Sequence, residues 1–418
     1  MAGRAAVVKA WRGVRSQLAF LRRLAVVFAV EIRLKIVTEL YMREMSPTQF
    51  FEEFGGGSVS RVDRNFKRLA EHGWLRFIRS EGPGGKRRGA TEHFYRAREL
   101  AIFDNETWRL LPYSIRGAFS WTIFNQFAER VREAMEAGSF DAREDRHFSW
   151  TPLLLDQLGW ERVLAAIDGL FEVLFEEQAD AKLRIFHSGE KPILATVGLG
   201  GFESPMRDGG RVGPSLVEGE RDFPIPFPLR ISKVFADEVC LKIVTETNLR
   251  DMSAPQFHAE FGGDSVDGIR RRFKMLEKNG WLKKVDEKTG GKRRGAVEYF
   301  YRATGPAIYD SGTWSDLPDS IRSSFSWTIF EQLSEQVKEA MEAGTFDARE
   351  DRHLSWSLSR LDQRGWEKVV AAVDALFEFI FEEADETEAR VATSGEKTIL
   401  MTVALAAFES PSESAKAP

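Results

Sequence analysis

The chain carries one long segment twice, and this duplication limits its folds more than any other feature. The phrase EGPGGKRRGATEHFYRA at 81–97 returns as EKTGGKRRGAVEYFYRA at 287–303, with the basic GGKRRG identical in both copies. Shorter phrases, among them LKIVTE, FSWTIF and FDAREDRH, also occur twice in the same order. Two copies are too few for a solenoid of stacked repeats. We therefore expect two homologous lobes, 20–203 and 227–409, which we call the first and the second copy.

Composition marks where the copies begin and end. The segment ESPMRDGGRVGPSLVEGERDFPIPFP is rich in Gly and Pro and lacks periodicity, which is typical of a linker. The tail SPSESAKAP is expected to be disordered. The predicted segments are a basic N-terminal extension (1–19), two domains of short helices and strands (20–104 and 227–310), two long-helix regions (105–203 and 311–409), the linker (204–226) and the tail (410–418).

The bulk composition is that of a globular protein, with 43% apolar and 29% charged residues and a net charge of −5. A single cysteine, Cys240, excludes a disulfide framework and a cysteine-based zinc site, and favours a cytoplasmic location. The basic start of the chain raises a signal peptide as an alternative. Its apolar VFA before Glu31 returns before Glu238, so we assign this run to the repeated fold. No stretch approaches the roughly 20 apolar residues that span a bilayer.

The first part of each copy predicts three helices followed by two strands. Ser46 is a helix N-cap with Pro47 at the first helical position, and Gly55 ends that helix. The next helix ends at Gly73. Its apolar residues fall on one face: Val59, Val62, Phe66 and Leu69. WLRFIR and ATEHFYRA then read as strands on either side of GGKRRG.

This order of elements is that of a winged helix-turn-helix, and the sequence resembles the ArsR-like winged-helix transcription regulators of bacteria. The resemblance is carried by SPTQFFEEFG, VDRNFKRLAEHGWL and RRGATEHFYRA, and by SAPQFHAEFG, IRRRFKMLEKNGWL and RRGAVEYFYRA in the second copy. It implies a DNA-binding regulator of transcription. The metal sensing common in that family does not carry over, because its cysteine pairs or His and carboxylate clusters are not seen. We predict neither a metal nor a cofactor.

The second part of each copy reads as long amphipathic helices and a closing strand. One apolar stripe comprises Ile115, Phe119, Ile123, Phe127, Val131 and Met135. Another runs from Trp160 to Phe175 and is copied from Trp366 to Phe381. We expect these faces to pack copy against copy as a pseudo-dimer, with the linker replacing dimerisation. The predicted class is mainly α with small β-wings (α+β), built as two tandem winged helix-turn-helix lobes.

Local charge favours double-stranded DNA as the partner. Residues 58–98 hold eleven Lys/Arg against four Asp/Glu, and 264–302 hold twelve against six, although the chain as a whole is negative. Such an excess attracts the dense phosphate charge of a duplex. The resemblance puts the third helix in the major groove and the wing against phosphate or the minor groove. The predicted DNA-binding residues are Arg61, Arg64, Asn65, Lys67, Arg68, Lys86, Arg87, Arg88, Arg270, Arg271, Arg272, Lys274, Lys292, Arg293 and Arg294.

The two third helices differ more than the two wings do. Asp63 corresponds to Arg270, and Asn65 corresponds to Arg272. We therefore expect the DNA site to be an imperfect palindrome with two different half-sites.

The repeated FDAREDRH is interpreted first as a salt-bridged loop that caps a long helix. The alternative is a small-molecule effector site, in which an Arg-x-Asp pair binds guanine and tryptophans repeated in both copies line the pocket; aromatic residues at helical spacing more often belong to the core. The candidate effector residues are Arg143, Asp145, Trp121, Arg349, Asp351 and Trp327.

Two further function classes stand beside DNA binding. One is a protein-interaction scaffold whose winged or acidic helices bind another protein. The other is an enzyme, which we do not expect, because no arrangement of catalytic residues is visible. GGK is not a phosphate-binding Walker loop, because it lacks the following Ser or Thr and lies between strands. We expect an intramolecular pseudo-dimer that is otherwise a monomer or a weak homo-oligomer.

Overall fold

The computed structural model describes residues 23–81, 91–98, 108–109, 111–206, 233–235, 237–289, 297–305, 314 and 317–411. They form α-helices and small antiparallel sheets, which confirms the α+β class. The chain divides into two compact units, 1–126 and 127–418. These units do not coincide with the two copies, because the later part of the first copy belongs to the same unit as the second copy.

The elements of the two copies follow each other in matching order. In the first copy they are α1 (Glu31–Met42), α2 (Pro47–Phe54), α3 (Val59–Glu71), β1 (Leu75–Glu81), β2 (Glu92–Ala97), α4 (Tyr113–Glu136), β3 (His147–Leu155), α5 (Gln157–Ser188) and β4 (Ile193–Glu203). In the second copy they are α6 (Glu238–Leu249), β5 (Met252–Ser253), α7 (Ala254–Phe261), α8 (Val266–Lys278), β6 (Leu282–Thr289), β7 (Val297–Ala303), α9 (Asp319–Glu342), β8 (His353–Leu361), α10 (Gln363–Ser394) and β9 (Ile399–Glu409).

The short helices of unit 1–126 begin and end where the sequence predicts. Ser46 Oγ accepts a hydrogen bond from the backbone N–H of Gln49 at 3.1 Å, and the Gln49 side chain accepts one from the Ser46 N–H at 3.3 Å. This reciprocal cap satisfies two N–H groups that the start of a helix leaves without partners. Gly55 and Gly73, with φ of 74° and 76°, follow α2 and α3 in a conformation that other residues rarely adopt.

The core of unit 1–126 lies under one face of α3. Val62, Phe66 and Leu69 are fully buried, and the Phe66 ring meets that of Phe50 edge-on at 5.8 Å. Val59, which the apolar stripe also includes, is 37% exposed because it occupies the first, outermost position of the helix. β1 and β2 pair as an antiparallel hairpin beside this core.

The second copy repeats this arrangement within unit 127–418. α7 is capped by Ser253 as α2 is by Ser46, and α8 buries Ile269, Phe273 and Leu276. The hairpin β6–β7 gains a third, two-residue strand, β5, on the β7 side. In the first copy the matching contact is the single bridge between Met45 and Tyr95.

Strands of both copies alternate in one four-stranded antiparallel sheet of unit 127–418. Its order is β3-β9-β4-β8, so β3 and β4 of the first copy are separated by β9 of the second. α5 and α10, each 32 residues long, pack on this sheet and against each other. Trp160 and Trp366 are fully buried in the shared core. Every strand of the sheet therefore hydrogen-bonds to a strand of the other copy.

The long-helix regions thus contain more β-structure than the sequence predicts. The stripe from Trp160 to Phe175 and its copy pack against each other as expected, whereas the stripe on α4 contributes no residue to the core that they form among the described residues. β3 and β8 were not predicted. The segment HFSWTPLLL is short, and Pro152 within it argues against a strand because proline lacks the N–H that a ladder requires. β3 lies at the edge of the sheet, where a strand tolerates proline.

Both long helices start at a capping aspartate and end at a glycine. Asp156 accepts a hydrogen bond from the Gly159 N–H at 2.7 Å, and Asp362 accepts one from the Gly365 N–H at 2.9 Å.

The two long helices, α5 and α10, do not resemble membrane spans. In the part of the chain that the structure describes, no helix is both long and apolar enough to cross a bilayer.

Candidate nucleic-acid interface

The outer face of α3 presents a row of cationic side chains. Arg61, Arg64 and Arg68 are exposed and follow one another at i, i+3 and i+7, on the side opposite the buried stripe. Ser58 fixes the start of the helix, because its Oγ accepts a hydrogen bond from the Arg61 N–H at 3.2 Å. The arginines therefore project from a helix that is capped at one end and packed along its inner face.

The three arginines of this row are not neutralised within the described residues. Arg64 Nε donates a weak hydrogen bond to the carbonyl of Ser60 at 3.3 Å, and no carboxylate pairs with Arg61, Arg64 or Arg68 across the described ranges. Lys67 is exposed too, but its Nζ lies 2.7 Å from an oxygen of Asp63. The arginines thus offer more uncompensated charge than Lys67 does.

Asn65 does not belong to this surface, although it was predicted to bind DNA. Its side chain is buried and accepts a hydrogen bond from Arg33 Nε at 2.8 Å, while its Nδ2 donates to the carbonyl of Arg61 at 3.0 Å. Burial, and secondly the charge of Arg68, lower the pKa of Arg33. The spacing to Val62 and Leu69 already indicates the buried face, so this prediction misread the helical period.

In the second copy, α8 presents a related but different row. Arg271, Lys274 and Lys278 are exposed at i, i+3 and i+7, and none of them has an ion-pair partner among the residues described. Lys278 was not among the predicted residues, although its spacing is the same as that of Arg68. Arg270 is exposed and pairs with Asp267.

Arg272 holds α8 in place and does not extend outward. Its Nε donates to Asp237 at 2.7 Å and its Nη1 to Asp264 at 2.9 Å. These two bonds, that of Asp264 first, raise the pKa of Arg272. Arg272 corresponds to Asn65, so this position joins the third helix to its own domain in both copies.

The stems of both hairpins pair like charges across the strands. Arg76 lies directly opposite Arg96, and both are exposed. Lys283 lies opposite Arg302 in the second copy, where Asp251 accepts from Arg302 at 2.8 Å and 3.1 Å. Like charges directly opposite destabilise a sheet, so the Arg76–Arg96 pair favours an external anion.

The predicted wing-tip residues lie outside the described residues. They are Lys86, Arg87, Arg88, Lys292, Arg293 and Arg294.

The repeated FDAREDRH segment is a salt-bridged loop, and each loop contacts the long helix of the other copy. Arg143 binds both oxygens of Asp145, at 3.1 and 3.3 Å, and also donates to Gln363 in the first turn of α10. Its guanidinium lies 4.8 Å from the ring centre of Trp366, whose Nε1 donates to Asp145 at 2.7 Å. The groups that a guanine would bind are thus engaged by the protein itself.

The matching residues of the second copy repeat this contact with the first. Arg349 binds Asp351 and donates to Gln157 of α5 at 2.9 Å, and its guanidinium lies 4.4 Å from the ring centre of Trp160. The two tryptophans assigned to the same effector hypothesis lie on other elements. Trp121 on α4 belongs to unit 1–126, and Trp327 on α9 packs against Phe330.

A cavity of unit 127–418 is lined by other residues than the candidate effector set. Leu154, Met206, Glu246 and Leu400 are among them.

Models of protein families, curated proteins and solved structures were compared with this chain, and none of them matches it.

Proposed function

We propose that the protein is a sequence-specific double-stranded DNA-binding regulator of transcription, in which each copy supplies one winged helix-turn-helix domain. α2 and α3 form the helix-turn-helix and β1–β2 the wing; α7, α8 and β6–β7 repeat them. The observation that carries the proposal is the row of Arg61, Arg64 and Arg68 on α3, which is exposed and without carboxylate partners in the described ranges. The row on α8 supports it.

The chemistry of the row fits the major groove of DNA. The groove is wide enough to admit one α-helix, and arginine donates two parallel hydrogen bonds to the O6 and N7 atoms of guanine. Arg64 and Arg271 occupy matching positions in the two copies, so they are our choice for base contacts. The neighbouring cations and the hairpin stem gain affinity by neutralising phosphates and releasing counterions.

The proposal is tested by measuring fluorescence anisotropy of labelled duplex DNA with the full chain. At low salt, random duplex should bind, and affinity should fall steeply as salt rises. Fragments selected from random sequence should bind more tightly. The Arg64→Ala/Arg271→Ala variant should bind the selected fragments roughly 30-fold or more weakly, since it removes two arginine–guanine contacts that contribute about 1–3 kcal/mol each.

The matched control is Lys182→Ala/Arg364→Ala, which removes two exposed cations from α5 and α10 and should bind like the wild type. If random duplex does not bind the wild type even at low salt, the proposal is wrong and the interaction scaffold becomes the better hypothesis. If both variants lose DNA affinity equally, binding depends on the overall charge of the protein and not on base contacts from α3 and α8.

A further inference from the structure

The two long helices that pack on the shared sheet are joined to each other by ion pairs that are the same on both sides. Asp156 binds Arg390 at 2.6 and 2.8 Å, and Asp362 binds Arg184 at 2.5 and 2.8 Å. Each copy therefore supplies one capping aspartate and one arginine. Two first copies, or two second copies, would form the same pairs, so these charges do not distinguish like from unlike partners.

The apolar contacts are not the same on the two sides. On one side Met401 of the second copy is fully buried and lies directly opposite Leu153 of the first. A Cβ added to Gly201 would lie 2.7 Å from Met401 Cε and 2.9 Å from Ile167 Cδ1. Met401 thus fills the space that the missing side chain of Gly201 leaves open.

At the matching position on the other side, small residues replace this large–small combination. Ala407 stands where the first copy has Gly201, Ala195 stands where the second copy has Met401, and Ser359 stands where the first copy has Leu153. Ala195 lies directly opposite Ser359, and both are fully buried. One side therefore combines Leu, Gly and Met, and the other combines Ser, Ala and Ala.

We propose that this sheet is a recognition surface that selects an unlike partner, so that a first copy pairs with a second copy and not with another first copy. Two first copies would set Ala195 where Met401 belongs and leave a void beside Gly201 on both sides. Two second copies would set the methyl group of Ala407 against Met401 on both sides and overpack the core. Only the unlike pair sets the large Met401 beside Gly201 on one side and combines the two alanines, Ala195 and Ala407, on the other.

The test uses the full chain with a protease site inserted in the linker and cut after purification. Native mass spectrometry should then show the two halves as a one-to-one complex. After unfolding in urea and refolding, or after mixing with a mass-labelled cut preparation, unlike pairs should exceed like pairs by roughly tenfold or more. The proposal is overturned if the two halves separate after cutting. It is also overturned if unlike pairs make up only half of all pairs, as random pairing would give.

Two double variants separate shape from simple weakening. Gly201→Ala/Met401→Ala gives both sides two alanines, so like pairs fit as well as unlike ones and selectivity should fall to the random value. Leu199→Ala/Leu405→Ala shortens two matching, directly opposed residues by the same amount in each copy, and it removes more apolar volume than the first variant does. It should weaken the complex but keep the preference; loss of selectivity in this control, or its retention in the first variant, counts against the proposal.

Discussion

At the scale of single residues, the charged side chains that stabilise the fold have partners of opposite charge. The arginines in the row on α3 do not have them among the described residues. Asp156 receives bonds from the Gly159 N–H, Thr387 and both ends of the Arg390 fork. Arg61 and Arg68 have no such partner among the described residues. A buried carboxylate without this set would be costly, whereas an exposed arginine stays hydrated until a phosphate replaces the water.

Acid should destabilise the protein through its two capping aspartates. The hydrogen bond from Arg390 lowers the pKa of Asp156 to about 2, and that from Arg184 lowers the pKa of Asp362 to about 2, from an ordinary 3.8. Because the unfolded chain takes up these protons first, the stabilisation is complete above about pH 4 and is lost as the pH falls toward 2. Each pair should contribute about 2 kcal/mol, measured by urea unfolding at several pH values.

Replacing these aspartates tests that assignment. Asp156→Asn and Asp362→Asn should each lower the free energy of unfolding at pH 7 and make its decline with acid shallower. Asp180→Asn is the control, since Asp180 is 63% exposed and lies 3.9 Å from Arg184. An unchanged acid profile in the capping variants would contradict the role given to the pairs.

At the scale of elements, α5 contains two glycines with opposite roles. A Cβ at Gly159 would lie 2.6 Å from Thr387 Oγ1 and 3.0 Å from Asp156 Oδ1, whereas nothing lies within 4 Å of one at Gly169. Gly159→Ala should therefore cost about 1–3 kcal/mol by forcing the helices apart. Gly169→Ala should gain about 0.5–1 kcal/mol by restricting the unfolded chain. Thermal unfolding that shifts both variants the same way would refute this.

Removing the pair of like charges from the β1–β2 hairpin should make the protein more stable and lower its affinity for DNA. In Arg76→Thr/Arg96→Thr the cross-strand repulsion is removed, so the free energy of unfolding should rise by a few tenths of a kcal/mol. DNA affinity should fall. The slope of the logarithm of the binding constant against the logarithm of the salt concentration should become shallower by about 1.8, if each arginine neutralises one phosphate. Arg302→Thr is the contrasting variant, because it also removes the bonds to Asp251 and should lower stability. A less stable Arg76/Arg96 variant would exclude the anion role.

At the scale of the whole molecule, the compact units and the two copies divide the chain differently. The boundary between the units falls within α4, while the boundary between the copies falls in the linker. The reason is the alternating sheet, in which each strand's neighbours come from the other copy. A preference for unlike partners would let this sheet form within one chain instead of between two chains.

The site bound by such a molecule should have two different halves. Arg61 and Arg68 of α3 correspond to Gly268 and Met275 of α8, so only Arg64 and Lys67 keep their charge in Arg271 and Lys274. Footprinting and fragment selection should therefore give an imperfect palindrome, with stronger sequence preference in the half that α3 contacts. A strictly symmetric site would contradict the proposed division of labour between the helices.

Much of the fold was open to prediction from sequence because its signals are local. Caps such as Ser46 and stops such as Gly73 act within one helical turn, and the stripe from Trp160 to Phe175 follows the period of a helix. The candidate site was predicted in part for the same reason: Arg61, Arg64 and Arg68 follow from periodicity. Asn65 was misassigned because its charge-neutral side chain was read as an outward group, although its spacing belongs to the buried face.

By itself the sequence determined the duplication, the helices with their caps, and the two basic segments, since each depends on residues near one another in the chain. Only the tertiary structure decided that the long helices lie on a sheet whose strands alternate between copies. Strand pairing depends on contacts between distant segments, such as Leu153 with Met401, and a short strand with a proline carries no local sign of its partner. The tertiary structure likewise decided that Asn65 and Arg272 hold their helices in place, because burial depends on what packs against a side chain.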